Sequence, residues 1–106
     1  MRYAQVSSGM KNDYELPVMY EDLTPKQRYE VREQYAEEQG EDCWYCGWPL
    51  DGEPAEVVQE ARINLRLFPP GFLTRPVHLQ HDHVTGLTEG AVHAKCNAYL
   101  WQYEGR

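Results

Sequence analysis

Between Thr24 and Gly40 the apolar residues Val31 and Tyr35 stand four apart, with Tyr29 close enough to widen the stripe, among Glu30, Glu33, Glu37 and Glu38. This spacing predicts a helix with one apolar side and a solvated acidic face. Thr24-Pro25-Lys26-Gln27 predicts its start: threonine caps, proline suits the first helical position and glutamine completes a capping box. The helix runs to about Gln39, and Gly40 ends it. Pro54 to Leu67 predicts a second, shorter helix with Val57, Val58, Ala61 and Leu65 on one side, stopped at Phe68-Pro69-Pro70-Gly71. Pro76 to His81 alternates as a strand does, Val84-Thr85-Gly86 supplies a turn, and Leu87-Thr88-Glu89 makes a short return strand. From Gly90 on, Ala91, Val92, Ala94, Ala98, Leu100 and Trp101 suit a closing helix that ends at Gly105. Residues 1–20 read as an N-terminal arm, in which Leu16, Val18 and Tyr20 alternate as a short extended segment, and 21–106 as one domain.

Those elements make an α+β chain of a length that supports one core. A small polar domain gains much from a tether, and the cysteines suggest which kind. Three of them cannot all pair with one another, and Cys43-x-x-Cys46 followed by His93-x-x-Cys96 has the form of a zinc site. Gly47 lets the knuckle turn, and a zinc ion held by Cys43, Cys46, His93 and Cys96 clamps it to the first turn of the closing helix. The aromatic residues Trp44, Trp48, Tyr99, Trp101 and Tyr103 are expected to pack around that zinc-stapled core. The thiol usage places the protein in a reducing, cytoplasmic compartment, and no apolar run is long enough for a signal peptide or a membrane span.

The net charge is −7, which argues against nucleic acid until its distribution is read. Residues 1–60 carry 5 Lys and Arg against 14 Asp and Glu, whereas 61–106 carry 5 against 3. The half holding all 4 histidines is therefore slightly basic.

His78-Leu79-Gln80-His81-Asp82-His83-Val84-Thr85-Gly86, followed by His93-Ala94-Lys95-Cys96-Asn97, resembles the endonuclease VII family of HNH nucleases, whose pattern reads D-H-D-H-x-T-G, then R-G, then C-x-x-C-N. The likeness runs from Cys43 to Trp101, and 17 positions separate Gln80 from Asn97 as they separate the family's Asp and Asn. It implies a ββα-metal fold in which a hairpin and a helix grip one catalytic divalent cation besides the structural zinc. It also implies a DNA partner, including branched or distorted forms, and a phage or bacterial host cell as the setting. Family relatives act as dimers through a long helical region, for which the segment after Asn97 is too short, so the oligomeric state stays open.

Hydrolysing a phosphodiester needs a base for water and a cation to neutralise the charge that builds up, and histidine titrates in the right range. His81 is the expected base, His83 a neighbour able to touch phosphate or metal, Gln80 and Asn97 the expected cation ligands, and His78 the least certain of the histidines. Asp82 could orient an imidazole or complete the metal shell, or equally hold the turn. Arg62, Arg66, Arg75 and Lys95 are the candidate phosphate contacts.

Three positions depart from the family pattern: Gln80 for Asp, Glu89 for Arg and His93 for Cys. The last preserves an ordinary zinc set. The first removes the carboxylate that magnesium favours, so manganese or a later transition metal is the expected cation. Two further readings stand beside the nuclease. One is an HNH scaffold whose catalytic site has decayed into a module that binds nucleic acid or protein; the other is a zinc-dependent regulatory protein, which would need a basic helix that the sequence lacks.

Overall fold

The first long helix begins at its predicted cap. The computed structural model describes residues 14–105, and in it α1 spans Pro25–Glu38. Thr24 Oγ1 accepts the Gln27 backbone N–H at 3.1 Å, and Gln27 Oε1 accepts the Thr24 N–H at 2.9 Å, closing the capping box. Thr24→Ala should cost about 1 kcal/mol. Urea unfolding checks this as a lower midpoint at constant slope, and an unmoved midpoint would mean that the box contributes nothing. At the other end Gly40 takes φ +72°, the left-handed conformation that stops a helix.

Val31, Tyr35 and Ala36 are the buried residues of α1. Tyr29 does not widen their stripe. It is 54% exposed, since it lies about 200° around the helix from Val31, and its ring carries the Arg32 guanidinium at 4.8 Å instead.

Strand β1 (Val77–His81) pairs antiparallel with β2 (Thr88–His93), Val77 opposite His93 and Gln80 opposite Gly90. The register shifts between Gln80 and His81, where Thr88 becomes the partner and Glu89 is left as the extra residue of a bulge. Asp82 holds the turn: its side chain accepts the Val84 and Thr85 backbone N–H groups at 2.7 and 2.9 Å. The return strand is longer than expected and the closing helix, α3 (Ala94–Glu104), starts later than Gly90. Ala91 and Val92 are both fully buried, one on each side of the sheet, so Gly90–His93 gains more from pairing with β1 than from helical turns. Gly105, at φ +70°, ends α3 as expected.

The predicted second helix is mostly absent. Only Glu56–Glu60 (α2) is α-helical, with a 3-10 turn at Leu65–Leu67. Val57 and Leu65 are more than 60% exposed, and Val58 alone of the proposed stripe is buried in α2. Tertiary bonds to α3 decide this conformation. Gln102 accepts the Asn64 N–H at 2.8 Å and donates to the Arg62 carbonyl at 3.0 Å, and the Tyr103 hydroxyl donates to that same carbonyl. A helix through Arg62 and Asn64 would claim those groups for itself.

The expected arm lies partly outside the described residues. From Tyr14 onward, Tyr14, Leu16, Val18 and Tyr20 turn inward while Glu15, Pro17 and Met19 are exposed, which is the alternation the sequence predicts. The segment is laced to the hairpin by Thr88 N–H to Val18 O and Tyr20 N–H to Gly86 O, both 2.8 Å. The result is an α+β arrangement in which α1 packs against a two-stranded sheet and α3 continues from that sheet without a loop. Among the described residues no helix is long and apolar enough to cross a membrane.

Candidate functional site

Cys43 and Cys46 sit in a loop closed by Cys43 N–H to Trp48 O at 2.9 Å and by Gly47 at φ +80°. The backbone N–H groups of Tyr45 and Cys46 point at Cys43 Sγ at 3.4 and 3.5 Å, stabilising negative charge on that sulfur. His93 ends β2 and serves as the N-cap residue of α3, and Cys96 lies in the first turn of α3. The two are therefore brought together by a strand-to-helix corner, and not from within the first turn of the closing helix alone. His93 Nδ1 lies 3.6 Å from both Cys46 Sγ and Cys96 Sγ, and the four ligand atoms all fall within 4.8 Å of one another.

These distances suit a metal. Ideal zinc bonds arranged as a tetrahedron put nitrogen and sulfur about 3.6 Å apart. The other ring nitrogen of His93, Nε2, donates to Pro49 O at 2.8 Å, which fixes the tautomer that presents Nδ1 as a ligand. Cys43, Cys96 and His93 are buried. Without a metal, Cys43 is pushed down to about 4, first by its hydrogen bond with Cys96 and then by backbone N–H groups, against the effect of burial. Cys96 is driven strongly upward by that same bond, by burial and by the neighbouring sulfurs. The backbone N–H groups aimed at Cys43 Sγ thus favour the thiolate, the form that ligates. Cys43, Cys46, His93 and Cys96 can hold one metal ion such as zinc, and all three cysteines are free of disulfides.

The other three histidines lie apart from this cluster and do not converge on one point: His81 stands at the end of β1 away from His93. His78 Nδ1 accepts from Asn97 Nδ2 at 3.0 Å, with Phe72 edge-on at 4.7 Å between ring centroids. Burial is the main cause of its lowered pKa, with Arg32 and Arg75 adding to the effect. His81, at the end of β1, is stacked on Tyr20 at 3.9 Å and 15°, and Tyr20 carries the Arg28 guanidinium at 4.0 Å on its ring. His81 is also held below the ordinary histidine value, by burial first and then by His83 and Arg28.

His83 lies in the turn and not on a continued strand, yet its ring comes 4.5 Å from His81 and 4.9 Å from Trp101. Gln80 is buried; its amide nitrogen donates to His81 O at 2.9 Å and to Glu89 Oε1 at 3.3 Å. Among the described residues no second cluster of three His, Cys, Asp or Glu ligands forms there.

Sequence reasoning set His78 last and Asn97 beside Gln80, whereas the hydrogen bond formed in the structure joins Asn97 to His78. It missed Tyr20, Arg28 and Arg32, although Arg28 and Arg32 stand four apart on α1 and so share a face. Of the four expected phosphate contacts, Arg75 alone lines the cleft that His78 and Asn97 also line. Lys95 donates to the Gln59 carbonyl in α2, and Arg62 and Arg66 lie near the far end of α3, away from that cleft. The aromatic residues meet the expectation only in part: Tyr99 packs against the core that holds Cys43 and Cys96, whereas Trp44, Trp48, Trp101 and Tyr103 are all at least 39% exposed. No protein-family model, curated protein or solved structure matches this chain.

Proposed function

We propose that this chain is a zinc-stapled, metal-dependent endonuclease of the HNH type that hydrolyses phosphodiester bonds in DNA, branched or distorted forms included. The observation that carries the reading is local: a hairpin runs without a loop into a helix, with His81 at the end of one strand and Asn97 in the first turn of that helix. Cys43, Cys46, His93 and Cys96, with zinc, would then hold the hairpin and helix in place.

The amide nitrogens of Gln80 and Asn97 are both engaged with protein acceptors, leaving oxygen as the atom each could offer an ion. Both are neutral, and the nearby carboxylate is Glu89, on β2. Two neutral oxygens hold magnesium weakly, whereas manganese or a later transition metal can also accept a neighbouring imidazole, so one of these is the proposed cation. A cation held there would neutralise charge on the phosphate. His81 would take the proton from water. Its lowered pKa keeps it neutral, hence basic, at neutral pH.

This assignment sets the sign of the pH dependence. A base works only when unprotonated, so the acid limb of cleavage should lie below 6.5, the ordinary histidine value. Removing the Arg28 charge, as in Arg28→Gln, should move that limb upward. His81→Ala should lower plasmid cleavage with manganese by at least about a hundredfold. Equal cleavage by His81→Ala, or an acid limb unmoved in Arg28→Gln, would remove His81 from the role of base.

The hydrogen bond between Gln80 and Glu89 favours a second reading, in which the cation site has decayed and the scaffold binds nucleic acid or a protein without cutting. No cleavage with any divalent cation, from folded protein carrying one zinc, would select it.

A further inference from the structure

An open cleft of about 310 Å³ lies between α1, β1, the first turn of α3 and the segment around Phe72. Arg28, Arg32 and Arg75 all line it, together with Tyr20, Tyr29, Phe72, His78 and Asn97. None of its lining residues is acidic, in a chain of net charge −7. We infer that this cleft binds a phosphodiester group of a nucleic-acid strand, the three guanidiniums taking the phosphate and the aromatic walls the adjoining sugar and base.

The charges argue for an anion. Three cations facing one small volume repel one another, and an anion between them reverses the sign of that interaction. Arg28 and Arg75 have no ion-pair partner among the described residues. Arg28 donates from Nε to Tyr20 O at 3.4 Å and lies over that residue's ring. Arg32 donates to Val77 O and pairs with Glu33, both at 3.3 Å, but Glu33 is 46% exposed and solvent weakens the pair. The Arg32 Nε is buried with no hydrogen-bond partner, a donor whose desolvation the protein alone does not offset.

Guanidinium forks suit phosphate oxygens, and aromatic faces accept any base, so the cleft matches a strand without selecting its sequence. Its volume lies at the low end for ligand sites, enough for one nucleotide unit. Because Asn97 also lines it, the bound phosphate would lie beside the proposed cation ligand.

This inference rests on the reading of the chain as acting on nucleic acid, and the test separates the two. Binding of a fluorescent single-stranded oligothymidylate would be measured by anisotropy on zinc-loaded His81→Ala protein without other divalent cations, over a range of salt. Arg28→Gln and Arg75→Gln, added singly to that background, should each weaken binding about tenfold and flatten the salt dependence by about 0.7 of a log unit per decade, one phosphate contact on a single strand. Arg62→Gln and Arg66→Gln should leave both unchanged. Arg32 also braces β1, so these variants carry the test if Arg32→Gln does not fold.

Unchanged affinity and salt slope in folded Arg28→Gln and Arg75→Gln would overturn the assignment. So would thymidine 5′-monophosphate binding as tightly as the strand, which would make the ligand a free nucleotide. If these variants lose binding while wild-type protein cuts nothing, the cleft stands and the nuclease reading falls. If wild-type protein cuts and the variants bind normally, the reverse holds.

Discussion

Protein stripped of metal by a strong chelator should lose its cooperative thermal transition, and Cys96→Ser should behave the same way without chelator. The reason lies in the size of the core. Buried alanines at 36, 91, 94 and 98 outnumber buried leucines at 23, 50 and 100, so the apolar area removed from water is modest. Structural zinc contributes roughly 10–16 kcal/mol in small domains, comparable to the roughly 5–15 kcal/mol by which a whole domain is stable. The four ligands also join the loop at 43–46 to the corner at 93–96, which no disulfide does. Removing the ion leaves three sulfurs and an imidazole crowded within 4.8 Å of one another and largely buried, with nothing to hold them together. Circular dichroism with metal analysis checks this; chelated, zinc-free protein melting within a few degrees of the loaded form would show that the cluster is not the staple.

The second large effect is expected at Gly90. A Cβ built there would meet Trp44 Cγ at 2.6 Å, Trp44 Cβ at 2.7 Å and Gln39 Oε1 at 2.7 Å, so the neighbours must move. Neither is a loose end. The Gln39 amide bridges β2, accepting the Ala91 N–H at 2.9 Å and donating to the Ala91 carbonyl at 3.0 Å, while the Trp44 N–H donates to that carbonyl at 2.9 Å. Gly90→Ala should therefore cost about 3 kcal/mol, the upper end of ordinary overpacking. The displaced Gln39 and Trp44 also tie the end of α1 and the cysteine loop to the sheet. Adding Trp44→Ala should recover part of the loss if the indole is the obstacle. A Gly90→Ala protein as stable as wild type would mean that the loop yields freely, and would weaken the view that β2 positions the metal ligands.

How much of this was legible in the sequence differs between elements. The α1 cap was readable because every group that makes it lies within four residues. The metal set was readable for a chemical reason: three thiols and an imidazole at short paired spacings have few other uses. Gly90 carried no comparable signal. Its need for a missing side chain comes from Trp44 and Gln39, more than forty positions away, and a glycine before Ala91-Val92 reads equally well as the start of a helix.

Local sequence sufficed for the strong features: where α1 begins and ends, the hairpin, the end of the closing helix and the four residues that can hold a metal ion. Each depends on neighbours in the chain or on the identity of a few atoms. Long-range contacts were needed to extend β2 to His93, to keep most of residues 54–67 out of a helix, and to join Asn97 to His78. The tertiary structure alone brought Arg28 and Arg32, out of an otherwise acidic helix, into one cleft with Arg75. Those outcomes depend on partners distant in sequence, whose hydrogen bonds and packing override a local preference of less than about 1 kcal/mol per residue.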